Sequence, residues 1–235
     1  MKSKHIVSAF DDDLNKLNKK IRNLGDLAIS QFTKAIDGLA TLDSKFLDAI
    51  ISKDQELDDL EVEINDSAFE LISLRSPVIS DLRRVISAIK ISSTLERVGD
   101  YAKNIAKRSK ILLTQGNDSI PGVNIGRMGS LAENMLSEVL KAYLDEDAER
   151  AVKLRDRDLE IDYMYTAFYN EVLAAMTRNP SQVSSGAHLL FIAKNIERIG
   201  DHATGIAEQV YFQVHGKMLE DDRPKSDILT KTSEV

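Results

Sequence analysis

Apolar residues step through most of this chain at intervals of three and four, the spacing that gathers them on one face of an α-helix. Leu14, Leu17, Ile21, Leu24, Ala28, Phe32, Ala35 and Leu39 form one such stripe and predict a helix from about Phe10 to Thr41. Gly25 and Gly38 interrupt it, at a cost in helix propensity that close packing against another helix would explain. A second helix is predicted from about Ser44, as N-cap, to Leu74, and Ser76-Pro77 ends it because proline disfavours helix in the residue before it. A third runs from about Ser80 to Thr114. Gln115 to Gly126 is rich in turn residues and reads as a linker. The same order then recurs, with helices near Met128–Leu144, Asp147–Arg178 and Ser184–His215, and a break at Asn179-Pro180.

The recurrence extends to the side chains. Ile91, Leu95, Val98, Ala102 and Ile105 form one stripe, and Ile192, Ile196, Ile199, Ala203 and Ile206 repeat it in register. On these stripes lie Glu96-Arg-Val-Gly-Asp100 and Glu197-Arg-Ile-Gly-Asp201, 101 residues apart. The windows Thr94–Lys107 and Asn195–Glu208 agree at seven of fourteen positions. Self-similarity at that spacing marks two copies of a domain-sized unit. The fold class is therefore all-α, two tandem three-helix bundles from an internal duplication: residues 1–118, residues 119–216, and a polar tail at 217–235. Gly99 and Gly200 each sit inside a long helix and predict close approach of a neighbouring helix.

Composition narrows the function. The 235 residues hold only 11 glycines and 4 prolines, which favours long helices. There is no cysteine, so neither a disulfide framework nor a thiolate metal site is available, and a reducing cytoplasm fits. A net charge of −7 disfavours nonspecific binding to nucleic acid or acidic lipid. The N-terminal stretch runs at once into Asp11-Asp12-Asp13 and lacks the apolar core of a signal peptide. No apolar run reaches the roughly 18–20 residues of a membrane span.

The remaining chemistry is acidic. Glu96 with Asp100, and Glu197 with Asp201, lie one helical turn apart. Each middle helix carries a further pair: Asp54 and Asp58 in the first half, Asp156 and Glu160 in the second, at an offset of 102. Asp54 falls on an apolar stripe, where a bare carboxylate is costly and needs a partner. Such pairs are either solvated charges, neutralised by residues such as Arg97 and Arg198, or ligands for a hard cation such as Mg²⁺, Ca²⁺, Mn²⁺ or iron. Recurrence in both halves favours the second reading. None of His5, His188, His202 or His215 follows a Glu at the spacing used by di-iron bundles, and His202 reads as a surface residue. No nucleophile–base set and no phosphate-binding glycine loop can be assembled.

Two tandem three-helix units, each with Glu-Arg-[Val/Ile]-Gly-Asp followed by Ala and Ile-Ala, together with Pro77-Val-Ile-Ser-Asp81-Leu82-Arg83, resemble the PhoU family of phosphate-transport regulators over about residues 5–215. The resemblance implies the PhoU fold, usually homodimeric and cytoplasmic. It implies a non-enzymatic adaptor that represses the phosphate-starvation response when phosphate is plentiful and modulates high-affinity uptake. The implied partners are the ATPase subunit of the phosphate-specific ABC transporter and the phosphate-sensing histidine kinase, with only peripheral association to membrane proteins and no nucleic acid. Some family members bind iron or zinc clusters through their acidic pairs. Carried over here, that implies Asp54, Asp58, Glu96, Asp100, Asp156, Glu160, Glu197 and Asp201 as ligands for iron, zinc or another hard divalent or trivalent cation.

Two departures stand out. The second half lacks the Asp-Leu-Arg segment, so Asp81, Arg83 and Arg84 mark a face present only in the first half, with Asp81 and Arg84 pairing at a helix start. Glu160 is one methylene longer than its counterpart Asp58. Two other readings compete with the adaptor: a metal-dependent carboxylate-cluster enzyme, and a scaffold in which every acidic pair is simply solvated.

Overall fold

The computed structural model describes residues 2–41, 43–115 and 125–219, with side chains from Ala9 onward. The described residues form helices α1 (Lys2–Thr41), α2 (Ser44–Ser52), α3 (Asp54–Arg75), α4 (Ile79–Gln115), α5 (Ile125–Leu144), α6 (Ala148–Arg178) and α7 (Val183–His215). They contain no strand. The expected linker falls between α4 and α5, where 116–124 lies outside the described residues, as does most of the expected tail.

One predicted helix is two. The chain turns at Lys53, which splits the stretch expected to run from Ser44 to Leu74 into α2 and α3. At the turn the Lys53 carbonyl accepts from the Glu56 backbone N–H at 3.2 Å and also from Nε2 of the buried Gln31 side chain of α1 at 2.9 Å. The cap of α2 is Asp43 rather than Ser44: its carboxylate accepts from the backbone N–H groups of Lys45 and Phe46. The split places Asp54 in the first turn of α3, where the helix dipole favours a carboxylate. Asp147 caps α6 in the same manner, accepting from Arg150 N at 2.9 Å. At the second break, Asn179 caps a short 3-10 turn, Pro180–Gln182, that leads into α7.

Within the first half, α1, α3 and α4 pack together with α2 against α4, and α5, α6 and α7 form the second bundle. The two stripes flanking the repeated motif are fully buried at every position from Ile91 to Ile105 and from Ile192 to Ile206, as the duplication requires. The bundles are not separate: α4 lies along α7 and α1 along α5, and one continuous apolar core runs through both. The Tyr143 hydroxyl of α5 donates to Asn18 Oδ1 of α1 at 2.8 Å, satisfying a buried polar group across that seam.

Helices α4 and α7 run antiparallel. Lys90 lies near Phe212, Tyr101 against His202, Arg108 over Phe191, and Gln115 beside Ser184. Tyr101 and His202 occupy the same place in the two repeats, so their contact marks a local twofold axis between the halves. The rings stack with centroids 5.4 Å apart and an interplanar angle of 23°, and His202 Nε2 lies 3.3 Å from the Tyr101 hydroxyl. His202 is thus part of the inter-bundle seam, contrary to the surface role its sequence position suggests.

Arg83 and Arg84 also join the halves. Arg84 donates to Glu146 Oε2 at 2.7 Å, reaching the α5–α6 turn rather than Asp81. Arg83 packs its guanidinium over Gly216, whose backbone is left-handed at φ 72°; a Cβ there would lie 2.7 Å from Arg83 Nη1. Neither arginine is the free surface charge that the asymmetry of the two repeats suggests.

Candidate cation site

Each middle helix meets the motif helix of its own half through a glycine. A Cβ on Gly99 would stand 2.1 Å from Leu57 Cδ1, and one on Gly200 would stand 2.8 Å from both Ile161 Cδ1 and Asp158 Oδ1. These glycines let α3 approach α4, and α6 approach α7, as their cost to the helix predicts. They also fix the register. Leu57 corresponds to Ile161, and buried Ile64, Ala68 and Leu71 correspond to buried Phe168, Val172 and Ala175.

That register corrects the pairing of the acidic residues. The equivalents of Asp54 and Asp58 are Asp158 and Asp162, at an offset of 104, not Asp156 and Glu160 at 102. Asp158 is 3 % exposed, whereas Asp156 faces solvent and Glu160 pairs at the surface with Arg127 at 3.3 Å. Asp156 and Glu160 are therefore not brought to Glu197 and Asp201. The usable signal was the pattern Asp-x-x-apolar-Asp followed by the apolar stripe of the same helix, shared by Asp54–Asp58 and Asp158–Asp162. A match of charges alone slides the alignment by two residues.

In the first half the four expected carboxylates share one neighbourhood. Burial and then the negative charges of Asp100, Glu61, Asp58 and Asp54 push the Glu96 carboxyl up to about 7. Burial, followed by Asp54, also raises Asp58. Between the two helices sits a residue the acidic motif does not announce. Lys103 Nζ donates to Asp100 Oδ1 at 2.7 Å and to Asp54 Oδ2 across the helix pair. Burial alone would lower the Lys103 ammonium; the hydrogen bonds to Asp100 and Asp54 outweigh it and hold the proton more tightly than usual.

The second half differs at that point. The position equivalent to Lys103 is Thr204, fully buried, with its hydroxyl turned back onto the Asp201 carbonyl at 2.7 Å. Glu197 takes a hydrogen bond from Lys194 on its own helix, Nζ to Oε1 at 2.7 Å, while its Oε2 is buried with no hydrogen-bond partner. Lys194 also lies over the Tyr165 ring. The motif arginines Arg97 and Arg198 are exposed, and Arg198 stands 6.0 Å from the Tyr101 ring.

The donor set tests how a cation would fit. Among the described residues no three His, Asp or Glu side chains already converge as a metal-holding group. In the second half the orphaned Glu197 Oε2 is an oxygen donor of the kind a hard cation takes. The first half presents its oxygens to an ammonium.

Comparison with known proteins bears on the family and the fold. The PhoU domain matches twice, at residues 21–109 and at 125–210, each match ending within one motif helix. A relative from Caulobacter vibrioides (strain NA1000 / CB15N), a phosphate-specific transport system accessory protein PhoU homolog, is 42% identical over 229 residues, 97% of this chain and 100% of the relative. A protein of the same description from Rhizobium meliloti (strain 1021) is 39% identical over 235 residues, 100% of this chain and 99% of the relative. The crystal structure of PhoU from Pseudomonas aeruginosa superposes with a TM-score of 0.85 at 29% identity, covering 88% of this chain and 100% of that one. The phosphate transport system regulatory protein PhoU from Streptococcus pneumoniae gives 0.83 at 29% identity, covering 90% and 99%. With both repeats matched and two bundles of the same architecture, the chain belongs to the PhoU family.

Proposed function

We propose that this chain is an accessory regulator of phosphate uptake that represses the phosphate-starvation response when phosphate is abundant. It acts by contact, bridging the ATPase subunit of the phosphate-specific ABC transporter and the phosphate-sensing histidine kinase, as a homodimer at the cytoplasmic face of the membrane. The observation that carries this reading is the end-to-end match, at 42% identity, to a relative described as a phosphate-specific transport system accessory protein.

Several properties of the molecule support it. No described helix is long and apolar enough to cross a membrane, so contact with a transporter would be peripheral. Val62, Phe69, Leu74, Val78 and Ile79 are all more than half exposed along α3 and the turn into α4, and exposed apolar surface of that kind is what protein contacts use. The net charge of −7 works against direct DNA repression and favours an effect through proteins. A pull-down with the full chain at high and low phosphate, probed for the ATPase subunit and the kinase, tests the proposal. Capture of both is the expected result, and capture of neither at any phosphate level contradicts it.

A further inference from the structure

We infer that the Arg83 end of the seam between α4 and α7 is a binding site for internal water, which joins the two bundles there by bridging Ser87 to the glutamines of α7. The repeats meet across this seam about the local twofold axis, so a contact at one end has a counterpart at the other. At the Gln115 end the polar groups close on each other. Gln115 Nε2 donates to Ser184 Oγ at 2.8 Å, Ser185 Oγ donates to Gln115 Oε1 at 3.0 Å, and Arg108 Nη1 lies 3.3 Å from His188 Nδ1.

At the offset of 101, Ser184 corresponds to Arg83, Gln115 to Gly216, His188 to Ser87 and Arg108 to Gln209. Here the polar groups do not close. Among the described residues, Arg83 Nε, Ser87 Oγ and Gln209 Oε1 are buried without a hydrogen-bond partner, and so is Oε1 of Gln213, one turn beyond Gln209. Ser87 is fully buried and Gln213 is 7 % exposed. Contacts on either side place them. Arg83 Nε lies 3.4 Å from where a Cβ on Gly216 would stand, and Lys90 Nζ lies over the Phe212 ring. Ser87 falls between Arg83 and Lys90 on the face of α4 turned to α7. Gln213 falls between Phe212 and Gly216 on the facing side of α7, and Gln209 shares that side one turn earlier.

The chemistry selects the occupant. The Arg83 Nε–H can only donate, the two carboxamide oxygens accept, and the serine hydroxyl does either. An anion would face the carboxamide oxygens and a cation the guanidinium. A small neutral molecule that both donates and accepts suits all of them, and buried polar groups without a protein partner are ordinarily paired by such water. The Gln115 end does not call for it: the counterpart of Gln213 there is the apolar Leu112.

The inference concerns the join between the bundles and is independent of the regulatory role. Crystals of the full chain that diffract well enough to show ordered water should show water density within hydrogen-bond distance of Ser87 Oγ and of a glutamine Oε1 of α7. A direct bond between Ser87 and either glutamine, a side chain from residues 220–235 seated there, or no density between them overturns the inference. In solution, relaxation dispersion of water oxygen counts long-lived internal waters. Ser87→Ala combined with Gln213→Leu, which gives α7 the residue of the other half, should hold at least one fewer than the native chain; an unchanged count overturns the inference. Should that variant fail to fold, the density in the native chain decides.

Discussion

Gly99 and Leu57 form the contact that sets α3 against α4, and a double-mutant cycle reads its strength. A Cβ on Gly99 would stand 2.1 Å from Leu57 Cδ1, well inside van der Waals contact, and Leu57 is fully buried. Gly99→Ala therefore forces Leu57 or α3 to move, an overpacking cost of about 1–3 kcal/mol. Against it stands a gain of about 1 kcal/mol in helix propensity. Leu57→Ala alone leaves a cavity and should cost about 2–5 kcal/mol. In the double variant the clashing atoms are gone and the new methyl fills part of the hole, so Gly99→Ala becomes favourable in the Leu57→Ala background. The coupling should be about 1–3 kcal/mol, well above the scatter of independent sites. Urea unfolding, with the midpoint shifting at constant slope, gives all four corners of the cycle. Additive effects of the two substitutions would refute the close-approach reasoning and the register built on it.

Two further outcomes follow from the site. Asp158→Ala should destabilise the chain by about 1–3 kcal/mol, because it removes a buried, partnered carboxylate, while Asp156→Ala should fall within about 0.5 kcal/mol of the native chain; urea melts that show the reverse would restore the offset read from the charges alone. In metal-free protein, the folded Glu96 carboxyl keeps its proton up to about 7 whereas the unfolded one releases it near 4.5. Protons then bind preferentially to the folded state between those values, so stability falls as pH rises through that window and levels off above it. Glu96→Gln should flatten the fall, which solvent screening reduces to on the order of 1 kcal/mol; equal pH slopes for both proteins would contradict the assignment.

Much of the fold was legible because its signals are local and repeated. The stripes from Ile91 to Ile105 and from Ile192 to Ile206 give helix, buried face and duplication together, and all are buried as read. The break at Lys53 was not legible, since no Gly or Pro marks it; Gln31, 22 residues earlier in the chain, donates to the Lys53 carbonyl there, a contact that periodicity does not encode. The carboxylates of the first half could be named from sequence because Asp54 and Asp58 have no competing acidic pair in register with the stripe. In the second half Asp156, Asp158, Glu160 and Asp162 alternate along one helix, and only packing against Gly200 shows which of them face α7. Lys103 escaped notice because a lysine three residues after Asp100 resembles any exposed ion pair until α3 is laid beside it. The seam of Tyr101 on His202 likewise depends on the antiparallel crossing of α4 and α7, which periodicity does not encode.

The regulatory claim is tested most directly in cells grown in phosphate-rich medium, by measuring a reporter of the phosphate-starvation response in a strain that lacks this chain. The account predicts a reporter that stays high in the deletion and returns to its low level when the intact chain is supplied from a plasmid. A reporter that remains fully repressed in the deletion strain would contradict it.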